Sequence, residues 1–223
     1  MTTGWSCPQC GDLVAGDVVP YREGVFNAAS RRFDPRCRSC KRHATFDPAR
    51  CDTSPTAPVL VISGSCAGGK TTVSYLLSEH HGFVQIDGDW VLESRKAEAQ
   101  HRVDTDEIHP YLLTMAEGFA RLGRPVALAH IVPPSLIPHY QAWLTERRIA
   151  HRIVILMPQT PVLLARNATR VCWPKTTPEY WVLKFHQDYL DAPAAVRDLF
   201  YDNSAETPDQ TAAALARSVM DNA

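Results

Sequence analysis

The chain has 223 residues, with 23 basic and 24 acidic side chains and a formal net charge of −1. This near-neutral balance argues against a broad electrostatic attraction to nucleic acid or to an anionic membrane. No apolar stretch approaches the roughly 20 residues that cross a bilayer, and residues 1–5 lack the basic start of a signal peptide, so we expect a cytoplasmic protein of one ordinary domain and a small appendage.

The appendage contains two cysteine pairs. The pairs are Cys7 with Cys10 and Cys37 with Cys40, separated by 26 residues. Two such turns place four thiolates around one ion, which is typical of a closed, structural zinc site. Disulfides are the alternative, and a reducing cytoplasm disfavours them. We therefore predict a zinc ribbon over residues 1–51, followed by a Pro- and Thr-rich linker over residues 52–58.

A basic segment overlaps the second cysteine pair. Residues 31–42 carry six Arg or Lys side chains with Phe33 among them, a composition that would suit contact with nucleic-acid phosphates. A solvated charged face around the zinc site is the simpler interpretation, and we favour it. Nucleic acid stays a less favoured partner.

The larger domain, residues 59–223, opens with a phosphate-loop motif. The motif G-x-x-x-x-G-K-[ST] comprises Gly64, Ser65, Cys66, Ala67, Gly68, Gly69, Lys70 and Thr71, with Thr72 following. An apolar strand over 59–62 precedes it, and a helix bearing Val73, Leu76, Leu77 and His80 on one face follows. Backbone N–H groups in such a loop surround a polyphosphate, Lys70 adds positive charge and the Thr71 hydroxyl binds magnesium. A plain connecting turn is the alternative, and the flanking strand and helix make it the weaker one.

Strands and helices alternate along the rest of the chain. Further strands are predicted at 83–86, 126–132, 153–157 and 199–201, and helices at 108–122, 140–148, 160–170 and 180–190, with a last helix opening at 207–209. Thr160 is the predicted N-cap of the fourth helix, and Gly82 ends the first one. This alternation predicts a parallel α/β sheet covered on both faces, with ligands at the carboxyl ends of its strands.

Two aspartates follow the second strand. Asp87 and Asp89 lie two residues apart, so both can point towards the same side. One would support magnesium or accept a proton from an acceptor hydroxyl, while the other binds a substrate hydroxyl. An ordinary Asp-Gly-Asp turn is the alternative.

Three more residues are candidates. Arg166 and Arg170 are four apart on one helical face, where they would meet phosphates during transfer, unless they form a solvent-facing basic stripe. His130, near the end of the third strand, is a candidate for the acceptor pocket or a core histidine.

These motifs resemble the small P-loop kinases related to shikimate kinase, gluconate kinase and chloramphenicol phosphotransferase. The resemblance covers most of residues 59–220 and includes the phosphate loop, residues 87–89, residues 166–170 and residues 201–208. It implies five parallel strands, ATP as donor, a late loop against the adenine, lid arginines on the ATP phosphates and an acidic pair facing the acceptor.

Two departures from that group affect the expected function. No aspartate ends the third strand, whereas many relatives have one there that coordinates magnesium through water. The placement of magnesium therefore depends more on Thr71 and Asp87. The zinc ribbon is also unusual in that group of kinases, so the resemblance does not identify the acceptor. We expect an ATP-dependent kinase, with Mg²⁺ and Zn²⁺ as cofactors, acting on a small-molecule hydroxyl. The alternatives are a nucleoside or nucleotide kinase, a nucleic-acid-associated P-loop protein, and a nucleotide-binding regulator without phosphotransfer.

Overall fold

A computed structural model describes residues 5–6, 13–14, 56–92, 108–169 and 177–220. The first two segments are short antiparallel strands, β1 (Trp5–Ser6) and β2 (Leu13–Val14). They belong to a different unit from the segments that begin at residue 56. The four cysteines of the predicted zinc ribbon lie outside the described residues, so that site stays a prediction.

A five-stranded parallel sheet forms the centre of the second unit. Its strands are β3 (Val59–Gly64), β4 (Val84–Asp87), β5 (Val126–Ala129), β6 (His151–Leu156) and β7 (Phe200–Tyr201). Their order across the sheet is β4-β5-β3-β6-β7, and every neighbouring pair is parallel. The predicted five-stranded parallel sheet is therefore confirmed. The phosphate loop leaves β3, the middle strand.

Helices connect the strands. They are α1 (Lys70–His81), α2 (His109–Arg121), α3 (Ile137–Glu146), α4 (Thr160–Ala168), α5 (Glu179–Leu190), α6 (Ala194–Arg197) and α7 (Pro208–Met220). A 3₁₀ turn over Pro134–Leu136 precedes α3, and residues 88–92 are helical directly after β4. The short α6 was not predicted. Among the described residues, no helix is long and apolar enough to span a membrane.

Alternate residues of β3 face opposite sides of the sheet. Leu60 and Ile62 join a buried apolar cluster with residues of α1 and α7. Ser63 instead contacts Tyr189 of α5, with 2.8 Å between their hydroxyl oxygens. The sheet is thus covered on both faces, and its middle strand is buried throughout.

The buried face of helix α2 agrees only in part with the apolar spacing of its sequence. Of Ile108, Leu112, Met115, Phe119 and Leu122, which recur at helical spacing, the first two are buried, but Met115 is 39% exposed and Leu122 is 44% exposed. Leu112 is buried together with Leu113, Ala116, Glu117 and Ala120. Two small alanines permit close packing, and Glu117 is paired with Arg121 and Arg147 at 2.9 Å each. Burial of a paired carboxylate cannot be predicted from apolar spacing alone.

The first helix and its end agree better with expectation. Gly82 has a left-handed backbone, and its N–H donates to the carbonyl of Leu77. Val73 and Leu77 are buried and Leu76 is partly buried, but His80 is exposed.

The predicted N-cap of the fourth helix differs in the structure. Thr160 is the first residue of α4, with Gln159 as the N-cap and no side-chain cap bond.

Candidate active site

The loop between β3 and α1 has a backbone shape that suits a phosphate group. Gly64, Ala67 and Gly69 have φ angles of 127°, 61° and 102°. A Cβ atom added to Gly64 would lie 2.4 Å from the carbonyl oxygen of Leu156, so glycine is required there. Helix α1 begins at Lys70 with no side-chain cap bond and no acidic residue in its first turn. Its leading N–H groups therefore fit an anion such as a nucleotide phosphate.

Lys70 lies against the loop that it follows. Its Nζ donates hydrogen bonds to the carbonyl oxygens of Gly64, at 3.0 Å, and of Ser65, at 2.8 Å. These bonds hold a positive charge at the mouth of the loop. Phosphate oxygens are charged acceptors and make stronger bonds to an ammonium group than carbonyl oxygens do.

Asp87 lies at the end of β4, a strand that contacts Thr71 through Gln85. The backbone N–H of Asp89 donates to the Oδ1 of Asp87 at 3.0 Å. Burial raises the pKa of Asp87, the Thr71 side chain and the N–H of Asp89 oppose the rise, and the charge of Asp89 adds to it. The site thus contains a partly buried carboxylate that is a stronger base than an ordinary aspartate.

The oxygens of Thr71 and Asp87 also fit a magnesium ion. Mg²⁺ prefers hard oxygen donors and is usually bound through one or two protein oxygens together with waters and substrate phosphates. A hydroxyl and a carboxylate in contact, beside a phosphate loop, are such a donor set. The described residues contain no group of three or more His, Cys, Asp or Glu side chains that would hold a metal ion without a substrate.

Arg166 is joined to the phosphate loop through Asn203. The guanidinium Nη2 donates to the carbonyl oxygen of Asn203 at 2.9 Å, and the amide Nδ2 of Asn203 donates to the carbonyl oxygen of Gly68 at 3.2 Å. Asn203 is 3% exposed. Among the described residues, neither Arg166 Nη1 nor Asn203 Oδ1 has a hydrogen-bond partner, although both atoms are buried. The structure therefore links α4 with the phosphate loop through Asn203, a residue of the late loop over 201–208 whose contact with Gly68 was not predicted.

A buried hydroxyl network supports the loop from behind. The Tyr189 hydroxyl donates to the carbonyl oxygen of Val132 at 2.7 Å, and the backbone N–H of Val132 donates to Ser63 Oγ at 2.9 Å. Ser63 immediately precedes the loop, Val132 follows β5 and Tyr189 ends α5. Three segments around the site are thus fixed to one another.

Asp89 and His130 lie next to Asp87 at the same edge of the sheet. Asp89 is in the helical segment after β4, and its side chain is 53% exposed, whereas His130 is 7% exposed. Their nearest atoms, Asp89 Oδ1 and His130 Nδ1, are 3.9 Å apart. Both candidates for acceptor binding are thus close to the candidate base.

A separate cavity of about 420 Å³ lies at the β7 edge of the sheet. Its lining consists of Met157, Pro158, Gln159, Thr160, His186, Leu190, Phe200 and Asp202. None of these residues belongs to the phosphate loop or to the group around Asp87. We therefore do not include this cavity in the candidate active site.

The structure brings most of the predicted site residues together. The loop residues, Asp87, Asp89 and His130 lie at the carboxyl edge of the sheet, and Arg166 reaches the loop through Asn203. Thr72 is exposed in the first turn of α1. Arg170 lies outside the described residues, so its predicted phosphate contact stays a prediction.

Comparisons with known proteins agree on the fold. No protein-family profile matches the chain, and no curated protein matches it. The tunicamycin resistance protein of Deinococcus radiodurans superposes with a TM-score of 0.58 at 17% identity, covering 73% of this chain and 95% of that one. A gluconokinase from Sinorhizobium meliloti gives 0.52 at 22% identity, covering 75% and 96%. A shikimate kinase from Bacteroides thetaiotaomicron gives 0.53 at 14% identity, covering 73% and 98%.

These comparisons concern the fold of the second unit. The second unit has the α/β fold of the P-loop kinases, and its structural neighbours include small-molecule kinases. At identities this low, the likeness establishes the fold and leaves both the activity and the acceptor undetermined.

Proposed function

We propose that the protein is an ATP-dependent phosphotransferase that phosphorylates a hydroxyl group of a small molecule. The observation that carries this proposal is the position of Asp87 at the carboxyl end of β4, a strand that pairs with β5 and contacts Thr71 through Gln85. Burial raises the pKa of this carboxylate, which supports a role as a base beside a loop that fits nucleotide phosphates. A protein that only binds nucleotide has no need for a base at this point, whereas a kinase requires one near the transferred phosphoryl group.

The residues would act as follows. Lys70 exchanges its two carbonyl bonds for phosphate oxygens and orients the donor. Asp87 accepts the proton of the acceptor hydroxyl as the new oxygen–phosphorus bond forms and the bond to ADP breaks. The lone pair of the acceptor oxygen makes the new bond, and ADP leaves with the electron pair of the old one. Positioning and charge stabilisation supply most of the catalysis in such transfers.

The Thr71 hydroxyl would hold the magnesium ion, which neutralises phosphate charge when it is bound, and Asp87 would support the ion only if it does not act as the base. Arg166 and Arg170 are the proposed contacts to phosphate from the other side. The link through Asn203 brings Arg166 to the loop edge, and the unpartnered Nη1 leaves one of its donors available.

The zinc ribbon is a second part of the proposal. Its support is the spacing of Cys7, Cys10, Cys37 and Cys40 in the sequence. A zinc site there would stabilise the appendage, and a role in binding nucleic acid would depend on the basic residues 31–42.

A nucleoside or nucleotide kinase is the alternative that uses the same chemistry. The decisive experiment measures ADP formation from ATP and Mg²⁺ with polyols, nucleosides, antibiotics and oligonucleotides as acceptors, and identifies the product by mass spectrometry. Transfer to a small molecule supports the proposal, and transfer only to an oligonucleotide end supports the nucleic-acid alternative. If ATP binds but no acceptor is phosphorylated, the protein acts as a nucleotide-binding regulator.

A further inference from the structure

The outer face of helix α2 is exposed and carries no charged side chain. Its residues are Tyr111, Thr114, Met115, Gly118, Phe119 and Leu122. Tyr111, Met115 and Leu122 are 46%, 39% and 44% exposed. Glu117 is the one Asp, Glu, Lys or Arg side chain in residues 109–120, and it is buried in its ion pairs. A helix face that meets water usually carries charged side chains, so this outer face has the composition of an interface.

Gly118 lies in the middle of the outer face. A Cβ atom there would meet no atom of the described residues within 4 Å, and the residue does not have a positive φ angle. The fold of the domain therefore does not require glycine at this position. Glycine is also the least favourable residue inside a helix after proline. Close approach of another molecule from outside would explain why a side chain is missing here.

The outer face fits a second copy of itself in antiparallel orientation. When Met115 of one helix lies level with Gly118 of the other, Met115 has space to pack against the partner's bare backbone. The same register places Thr114 level with Phe119, because both pairs are centred between residues 116 and 117. A larger side chain thus lies beside a smaller one in both pairs, which is the arrangement that close helix packing favours.

Charge and size also bear on this contact. An antiparallel pair brings the positive N-terminal end of one helix beside the negative C-terminal end of the other. Since the outer face has no charged side chain, the contact buries no unpaired ion. The helix has 13 residues, so two such faces bury less than the roughly 800 Å² per partner of a standard interface. We therefore expect a weak complex, with a dissociation constant on the order of 10 to 100 µM.

We propose that the outer face of α2 is the contact between two copies of this chain, which pair antiparallel about a two-fold axis. Met115 of each copy occupies the space beside Gly118 of the other. A two-fold contact uses the same patch on both copies, and a self-complementary face satisfies that condition.

The first test measures association of the full chain. Sedimentation velocity from about 1 to about 500 µM covers the expected dissociation constant, and the sedimentation coefficient of the wild type should rise from monomer towards dimer. Met115→Lys should remain monomeric throughout. Met220→Lys makes the same change on α7, at a side chain that is 53% exposed, and should associate like the wild type. A wild type that stays monomeric, or a Met115→Lys variant that associates unchanged, would overturn the proposal.

Gly118→Ala separates the contact from the fold. A Cβ atom has room in the monomer and alanine favours the helix, so at low concentration the variant should melt at a higher temperature than the wild type. In the dimer the methyl group would crowd Met115 of the partner, and the dissociation constant should rise about tenfold. Unchanged association would exclude the proposed packing. A lower melting temperature would show that another part of the same chain covers the face, which would exclude it equally.

Tyr111 and Leu122 test the orientation. The antiparallel register places Tyr111 of one copy level with Leu122 of the other, so Tyr111→Lys and Leu122→Glu should each weaken association. Within one chain the two positions are about 16 Å apart along the helix, too far to pair. The double variant should associate about threefold more tightly than the weaker single variant, since each lysine then faces a glutamate of the partner. A double variant that associates no better than the weaker single one would refute the antiparallel dimer.

Discussion

The side-chain amide of Asn203 donates a hydrogen bond to the carbonyl oxygen of Gly68, 135 residues earlier in the chain. Gly68 is in the middle of the phosphate loop, and Asn203 follows the edge strand β7. Because the carbonyl is held on its outer side, the N–H groups of the loop keep their inward orientation. Arg166 donates to the backbone of the same Asn203, so α4 and the loop are positioned together.

Replacement of Asn203 by Asp should weaken the binding of phosphates. The variant has nearly the same size, but a carboxylate oxygen would then face the carbonyl oxygen of Gly68 and repel it. We expect the affinity for ATP and ADP to fall about tenfold, the scale of one lost buried hydrogen bond, with adenosine affinity unchanged. Isothermal titration calorimetry with the three ligands measures this.

Asn203→Ala removes the hydrogen bond without adding a charge, so its loss of ATP and ADP affinity should be smaller than that of Asn203→Asp. Asp209→Asn, a change of the same two residue types on the exposed start of α7, is the matched control. An equal loss of adenosine and ATP affinity in the Asn203 variants would mean that the residue only packs the adjoining loop.

Lys70→Ala should abolish phosphotransfer almost entirely. The ammonium group donates to the loop carbonyls of Gly64 and Ser65, and the side chain is only partly buried, so the fold should persist. We expect turnover to fall by a factor of about 100 to 1,000, the usual scale for a lost charge-stabilising donor. Lys184→Ala, which removes an exposed lysine paired with Asp188, is the control and should retain full activity. Unchanged turnover in folded Lys70→Ala would contradict the kinase proposal.

Zinc should be present at one ion per chain. The prediction follows from the four cysteines of the appendage, since a module of this size obtains much of its folding free energy from the metal. Plasma mass spectrometry of protein purified without chelator measures the ratio, and Cys7→Ser or Cys40→Ser should lower it to near zero. A chain that begins at Thr53 should still bind ATP. A disulfide between the cysteine pairs, or metal-free protein, would rule out the ribbon.

The sequence predicted the parts of this molecule that depend on local patterns. The phosphate loop is recognisable because its glycines and Lys70 are contiguous, and the order of strands and helices follows from alternating apolar segments and their end signals. Asp87 could be proposed because it directly follows a strand in a parallel sheet.

The parts that depend on long-range contacts could not be predicted. Asn203 reaches the loop only because β7 lies beside β6 in the folded sheet. No sequence pattern near residue 203 indicates a contact with Gly68. In the same way, the burial of Glu117 depends on Arg147, which directly follows α3, and apolar periodicity does not indicate this contact. Gly88 resembles a turn glycine in the sequence, although the structure shows that it admits the His130 ring.

Tyr189→Phe should destabilise the domain through one hydroxyl. That hydroxyl is buried and bonded to Val132 and Ser63, so its removal leaves a buried carbonyl with a weaker partner, the Ser63 hydroxyl at 3.5 Å. We expect a loss of about 1–3 kcal/mol in the free energy of unfolding. Tyr180→Phe, at a site that is 67% exposed, should change stability by less than about 0.5 kcal/mol. Equal effects in urea denaturation would show that the network contributes nothing.

Asp87→Asn should separate the catalytic role of this residue from its effect on stability. The amide retains the size of the carboxylate and its oxygen can still accept from the N–H of Asp89, but it cannot take a proton. We expect turnover to fall about a hundredfold or more, the usual scale for a lost general base, with most of the ATP affinity retained. A collapse of magnesium-dependent ATP affinity instead would assign Asp87 to metal support.

The raised pKa of Asp87 also fixes the sign of a stability change in the absence of ligands. An acid whose pKa is higher in the folded than in the unfolded state contributes its full stability below the ordinary value of 3.8, and this contribution is lost as pH rises through the raised pKa. Asp87→Asn has no carboxyl group to titrate, so its stability does not fall in this way as the pH rises. The variant should therefore melt at a higher temperature than the wild type at pH 7 in EDTA, and the difference should shrink as the pH falls towards 3.8. If the variant melts lower at pH 7, the carboxylate stabilises the fold through its hydrogen bonds, and its proposed role as an activated base loses its physical ground.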